Sequence, residues 1–213
     1  MSALDIHFPG LVDAEGYELK KSKRHLGSWT LVPRGGRHLP INPIKHDPKL
    51  YLRFIEIEDD PEAHQTFVNT FGPITYRHHP NPQDDEDWEK HHETEETGTI
   101  YDHVLYVQSI VESWRLASRA ASADIESSYS SNLNASLRLS ETGDGLTLQL
   151  HPPRLFEAIT LQLGQAISTG RSLRTCEWCS KLFEIGGAAK RVSSKFCSTP
   201  CRMAHHNRHR GAR

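Results

Sequence analysis

No stretch of this chain approaches the roughly 18 consecutive apolar residues that a membrane-spanning helix needs. The opening MSALDIHFPG lacks both the basic start and the apolar run of a secretory signal. A cytoplasmic location with no membrane contact is therefore expected. Apolar residues are scarce, 36% of 213 against the roughly 45% usual in globular chains, which predicts substantial loops around a modest core. Glycine-rich phosphate loops of the G-x-x-x-x-G-K-[ST] or G-x-G-x-x-G type are absent, as is a G-x-S-x-G elbow. Ser, His and Asp are abundant, yet they cannot be assembled into a triad from sequence, so no enzymatic activity is expected. No internal repeat is present.

What is present is unevenly placed. Residues 1–170 hold 15 Lys and Arg against 25 Asp and Glu, a balance of −10, whereas residues 171–213 hold 10 against 2, a balance of +8. A basic end behind an acidic body points to a nucleic-acid contact or to a tail that folds back on its own body. The same boundary divides the chain into an acidic α+β body of unassigned role, 1–170, and a basic C-terminal unit, 171–213. Thr169 to Arg174 reads as a short link between them.

Within the body, GG, L-P-I-N-P and H-D-P punctuate the stretch to Pro48 and leave room only for short strands, the best at Ser28 to Val32. From Pro48 the spacing turns helical, with Leu50, Phe54 and Ile57 on one face. A second helix has Asp60 as N-cap, Pro61 in the tolerated first position, Ala63, Phe67 and Phe71 as its apolar face, and Gly72-Pro73 as its stop. His78 to Thr99 is polar and acidic without periodicity and reads as a surface loop. Ile100, Val104, Val107, Val111 and Trp114 then mark a long amphipathic helix. Ala135, Leu137, Leu139 and Leu146, Leu148, Leu150 alternate across a turn as a β-hairpin with one buried face. A last helix runs from Pro153 to Ser168, ended by Gly170. The fold class expected is α+β, a mainly helical body with a β-hairpin plus a small C-terminal finger.

All four cysteines lie in the basic unit, as Cys176-x2-Cys179 and Cys197-x3-Cys201. Two close pairs can present four thiolates to one tetrahedral ion, the spacing of a structural Zn2+ site with Zn-S distances of about 2.3 Å. Two disulfides are the rival, disfavoured in a reducing compartment. Thiol redox chemistry of the C-x2-C pair is the other alternative, without the βαβ context it needs. Leu182, Phe183 and Ile185 can form a hairpin strand after the first pair. Thr199 and Pro200 read as N-cap and first residue of a helix carrying Cys201, together a treble-clef arrangement.

L-R-T-C-E-W-C-S-K-L-F followed by S-S-K-F-C-S-T-P-C-R and a basic, His-containing end resembles the C-terminal fingers of bacterial proteins with an FCS-type second pair, including the CGNR zinc-finger family. Where that family has Gly-Asn-Arg after the second pair, this chain has Arg202, Met203 and Ala204. The resemblance implies zinc ligation by Cys176, Cys179, Cys197 and Cys201, a finger fold, and a role in transcription regulation. Leu50 to Ile74, with P-E-A-H-Q-T-F-V-N-T-F-G-P-I, resembles a segment that recurs in bacterial proteins bearing such a finger, which implies no established activity.

The basic unit is a candidate nucleic-acid surface, DNA before RNA, through Lys190, Arg191, Lys195, Arg202, His206, Arg208 and Arg210, with Arg202, His206 and Arg210 on one helical face. Trp178, between two ligands, is the candidate for stacking on a base. The alternative is a protein-interaction or adaptor module, an inhibitory or antitoxin-like partner that docks on an acidic surface. His205, His206 or His209 could join the zinc shell, and H-H-N-R-H superficially resembles a His-Asn-His nuclease without the preceding strand that chemistry needs. His78, His79, His91, His92 and His103 near a run of Asp and Glu offer metal ligands in no ordered spacing. The same acidic run could hold the basic finger when nucleic acid is absent.

Overall fold

Short apolar alternations broken by Gly and Pro build the first part of the chain into narrow sheets, and longer helical stripes close over them. The computed structural model describes residues 5–8, 10–22, 28–35, 37–75, 95–116, 135–142, 145–186 and 189–210. Among these the architecture is mixed α+β, with six helices and four small sheets.

The N-terminal segment carries five strands: β1 (Asp5–Ile6), β2 (Gly10–Asp13), β3 (Tyr17–Lys21), β4 (Trp29–Pro33) and β5 (His38–Ile41). It therefore contributes more sheet than a mainly helical body implies. β2 and β5 pair antiparallel from Gly10↔Ile41 to Asp13↔His38. β3 and β4 pair antiparallel with Leu19 opposite Leu31, and Leu31 is buried. The far edge of β4 is taken by β6 (Glu95–Glu96), Leu31 facing Glu95. This corrects the reading of 78–99 as one surface loop: its last five residues are strand β6 and the start of a helix. The residues before them, 76–94, lie outside the described residues.

Two short helices follow, α1 (Pro43–His46), capped by the Asn42 side chain on Lys45 N–H at 3.0 Å, and α2 (Leu50–Phe54). α2 is shorter than expected, because after Phe54 the chain tightens into a turn in which Ile57 N–H reaches Phe54 C=O. Leu50, Phe54 and Ile57 are nonetheless all buried. α3 (Pro61–Phe71) begins and ends where the sequence places it, Asp60 accepting Ala63 N–H at 2.9 Å. Gly72 at φ 87° stops it under Leu11, whose carbonyl oxygen would lie 2.8 Å from a Cβ at that position. Its buried face is His64, Phe67 and Val68. Ala63 and Phe71 are only partly buried, so the stripe is rotated from the expected one.

α4 (Thr97–Leu116) buries Ile100, Val104, Val107, Ile110 and Val111, with Trp114 partly covered. The hairpin forms as β7 (Ser136–Thr142) and β8 (Gly145–His151), and β1 adds in parallel through Ile6↔Leu150. It does not bury one leucine face throughout: Leu137 is 60% exposed. Pro153 does not open the last body helix. Extended Arg154 is the N-cap of α5 (Leu155–Ser168), and Gly170 ends it with φ 69°. These five helices, with Ile6, Tyr17 and Leu31 from the strands, share one core.

Candidate metal centre

Past Gly170 the chain forms β9 (Ser172–Thr175) and β10 (Leu182–Ile185), antiparallel with Thr175 opposite Leu182 and Ser172 opposite Ile185. The period of two in L-F-E-I sends alternate side chains to opposite faces. Phe183 and Ile185 turn inward with Cys176 as a small core of their own, against which Cys179, Phe196, Cys197 and Cys201 pack. Leu182 packs on the body core, and Glu184 is buried beside it at 1% exposure. The segment expected to be a link is thus half of this hairpin.

The tight turn joining the two strands carries the first cysteine pair. Cys176 N–H donates to Lys181 C=O at 2.9 Å and Ser180 N–H to Cys176 C=O at 3.0 Å. Ser180 holds φ 60°, the left-handed region that a side chain enters at a cost. Glu177 N–H donates to Lys195 C=O at 3.1 Å, tying this turn to the segment before the second pair. That pair opens α6 (Thr199–Arg210). Ser198, one residue earlier than expected, is its cap: Cys201 N–H donates to Ser198 Oγ at 3.3 Å and Arg202 N–H to Ser198 C=O.

The four Sγ atoms all lie within 4.8 Å of one another. Cys179 and Cys197 sulfurs are 3.6 Å apart and those of Cys197 and Cys201 3.4 Å. A tetrahedron of about 2.3 Å bonds requires sulfurs about 3.8 Å apart, so the donor set fits a four-sulfur ion. Thiol chemistry points the same way. Burial pushes the Cys176 thiol up, but the N–H groups of Cys179, Cys197 and Trp178 aimed at its sulfur outweigh this and hold it at about 6. Burial and the neighbouring cysteine sulfurs push Cys197 to about 12. Four touching sulfurs cannot all carry charge unless a cation sits among them, and such a cation deprotonates them together. The chain can therefore hold a metal ion at this place.

No histidine enters the cluster among the described residues. His205 and His206 lie against Phe196 instead, ring centroids 5.0 and 6.3 Å away. The side chains of His209 and Arg210 are outside the described residues, as are His78, His79, His91 and His92. His103 is on α4, its Nδ1 2.7 Å from Thr99 C=O and its ring edge-on to Phe156 at 4.1 Å.

Of the residues expected to contact nucleic acid, Lys190, Arg191, Lys195, Arg202, His206 and Arg208 are exposed. Lys190, Lys195 and Arg202 line one cavity. Trp178 is 39% exposed, and Val192 and Met203 are 65% and 51% exposed.

Sequence reasoning did not find the junction between this unit and the body. Glu184 accepts from Tyr51 Oη at 2.6 Å, and its other oxygen meets Lys49 Nζ and Arg171 Nη1, each at 2.8 Å. Burial would raise its pKa, but these partners prevail and hold it below the usual carboxylate range. Lys181 adds a surface pair with Glu56 at 2.6 Å. One signal was available, a lone Glu among three apolar strand residues. Comparison with family models, curated proteins and solved structures finds no match. No described helix is long and apolar enough to cross a membrane.

Proposed function

We propose that this chain is a zinc-binding protein whose basic C-terminal unit, a treble-clef finger of the FCS type, binds nucleic acid, DNA before RNA, in the service of regulation. Four thiolates complete the shell of Zn2+ and leave no position for water, so the ion would hold the finger together and take part in no reaction. Cys176 and Cys179 from the turn, and Cys197 and Cys201 from the start of α6, would be its ligands. The reading includes no catalytic role.

The observation that carries the nucleic-acid reading is the convergence of Lys190, Lys195 and Arg202 on one face of the finger. Positively charged side chains gathered at the surface within the span 190–202 match a phosphate backbone in sign. The test is a fluorescence titration of the zinc-loaded chain against mixed-sequence duplex DNA and structured RNA. Each phosphate neutralised should weaken binding about 3.5-fold between 50 and 200 mM salt. Absence of binding at the lower salt would overturn the reading.

A second reading, a protein-docking module, is favoured by Trp178, Val192 and Met203, large apolar side chains left exposed on the same small unit. A partner held by these apolar side chains would lose little affinity over that salt range, which separates such docking from phosphate binding.

A further inference from the structure

The cations of the finger do not form one uniform surface. Lys190, Lys195 and Arg202 line an open cavity of about 290 Å³, together with Ser193, Ser194 and Thr199. Arg191, His206 and Arg208 have no part in its wall. The three cations lie within one span, 190–202, and the backbone is held near each of them. Gly186 N–H donates to Lys190 C=O at 2.8 Å, Glu177 N–H donates to Lys195 C=O at 3.1 Å, and Arg202 N–H donates to Ser198 C=O at 3.2 Å. Their convergence therefore follows from the fold that the four cysteines hold together.

The charge in this cavity is only partly balanced. Lys195 Nζ lies 3.2 Å from Glu177 Oε1, whereas Lys190 and Arg202 meet no carboxylate among the described residues. The wall thus has a surplus of two positive charges, beside hydroxyls able to donate. A phosphodiester brings one negative charge, and a phosphate monoester brings about 1.5 to 2 at pH 7 together with three acceptor oxygens. Arg supplies a planar fork for two of those oxygens and Lys a point charge for the third. At about 290 Å³ the space is at the small end for ligand pockets, fit for one phosphate group and the unit attached to it.

We infer that the cavity bounded by Lys190, Lys195 and Arg202 is a seat for a phosphate monoester dianion, namely the terminal phosphate of a nucleic-acid strand. The inference deepens the nucleic-acid reading and rests on it for the polymer that carries the phosphate. The seat itself recognises the monoester group. A strand end would be preferred over interior backbone, and free inorganic phosphate would compete for the same place.

The experiment uses the full-length zinc-loaded protein and two forms of one single-stranded oligonucleotide, phosphorylated at both ends or bearing hydroxyls at both. Fluorescence anisotropy at low salt is expected to show the phosphorylated strand bound about tenfold more tightly. Millimolar inorganic phosphate should erase the difference. Arg202→Ala and Lys190→Ala should abolish the preference, while Arg208→Ala, off the cavity wall, should weaken both strands alike and keep it. Zinc content is measured for each variant. Should Arg202→Ala lose metal, Lys190→Ala, which lies outside α6, carries the test. Equal affinity for the two strands would overturn the seat and leave the nucleic-acid reading standing. Failure of both strands, with inorganic phosphate still broadened in its 31P spectrum by the protein but not by the Lys190→Ala variant, would support the seat and overturn that reading. Failure of strands and phosphate together would overturn both.

Discussion

Glu95 is a carboxyl 2% exposed, its oxygens accepting N–H bonds from Ile74 at 2.9 and 3.0 Å and from Thr75 at 2.7 Å. Burial outweighs those bonds and raises its pKa from 4.5 to about 7. The folded state therefore keeps a proton that the unfolded chain releases above about pH 4.5. Stability contributed at this residue is full below that pH and is lost as pH rises to about 7, at no more than about 1.4 kcal/mol per pH unit. Metal binding by the four cysteines would change in the opposite sense, because protons compete for the thiolates. The comparison that isolates Glu95 is urea denaturation of the wild type and Glu95→Gln at pH 5 and pH 7. The variant should lose less stability, or gain more, between the two pH values than the wild type. Equal pH dependence would show that Glu95 is ionised in the fold. Nothing near Glu95 in sequence signals its burial: it stands in T-E-E-T behind an acidic run, and only the edge of β4 takes it out of water.

At the scale of elements, the two cysteine pairs turn a strand hairpin and a helix into one unit. α6 is 12 residues long and largely exposed, so little apolar burial holds it and its own propensity is insufficient. Its anchor is Cys201, with the Ser198 cap. Replacing Cys197 with Ser should remove stoichiometric zinc and melt α6, while α3, α4 and α5 keep their helical signal because the core they share contains no cysteine. Metal analysis beside far-UV circular dichroism reads both effects. Retained one-to-one zinc would refute the four-sulfur site. Elements were legible in sequence where capping and period agree. Asp60 with Gly72 delimited α3, the spacing Ile100 to Val111 announced α4, and C-x2-C with C-x3-C announced the cluster. They were less legible where local signals conflict. Pro153 reads as a helix start, yet the chain stays extended through Arg154, and the rotation of α3 toward His64 and Val68 was set by the strands it packs on.

The whole molecule is joined at β10. One face of that strand lies on the cysteine core, the other on the body, where Glu184 meets Tyr51 and Lys49 beside Arg171 of its own unit. A buried carboxylate with three donors is stable only while they remain, and removing one side leaves the others desolvated. Glu184→Ala should lower global stability by about 1–3 kcal/mol, discounted because Lys49 and Arg171 are 42% and 28% exposed and can rehydrate. Zinc stoichiometry should stay unchanged. Urea denaturation followed by the body's helical signal, with metal analysis of the same samples, checks this. An unaltered midpoint would show that the C-terminal unit and the body stand independently.

By itself the sequence determined the chemistry of the cysteine cluster, the acidic and basic halves, and the helices whose stripes and caps agree. Those properties reside in residue type and short spacing, which act before the chain closes on itself. Only the tertiary structure decided that the supposed link is a strand, that Glu95 and Glu184 lose their water, and that Lys190, Lys195 and Arg202 surround one cavity. Each of these depends on residues distant in the chain meeting, Leu31 with Glu95, Tyr51 with Glu184, and Glu177 with Lys195. Burial and electrostatic surroundings are properties of such meetings and not of local spacing.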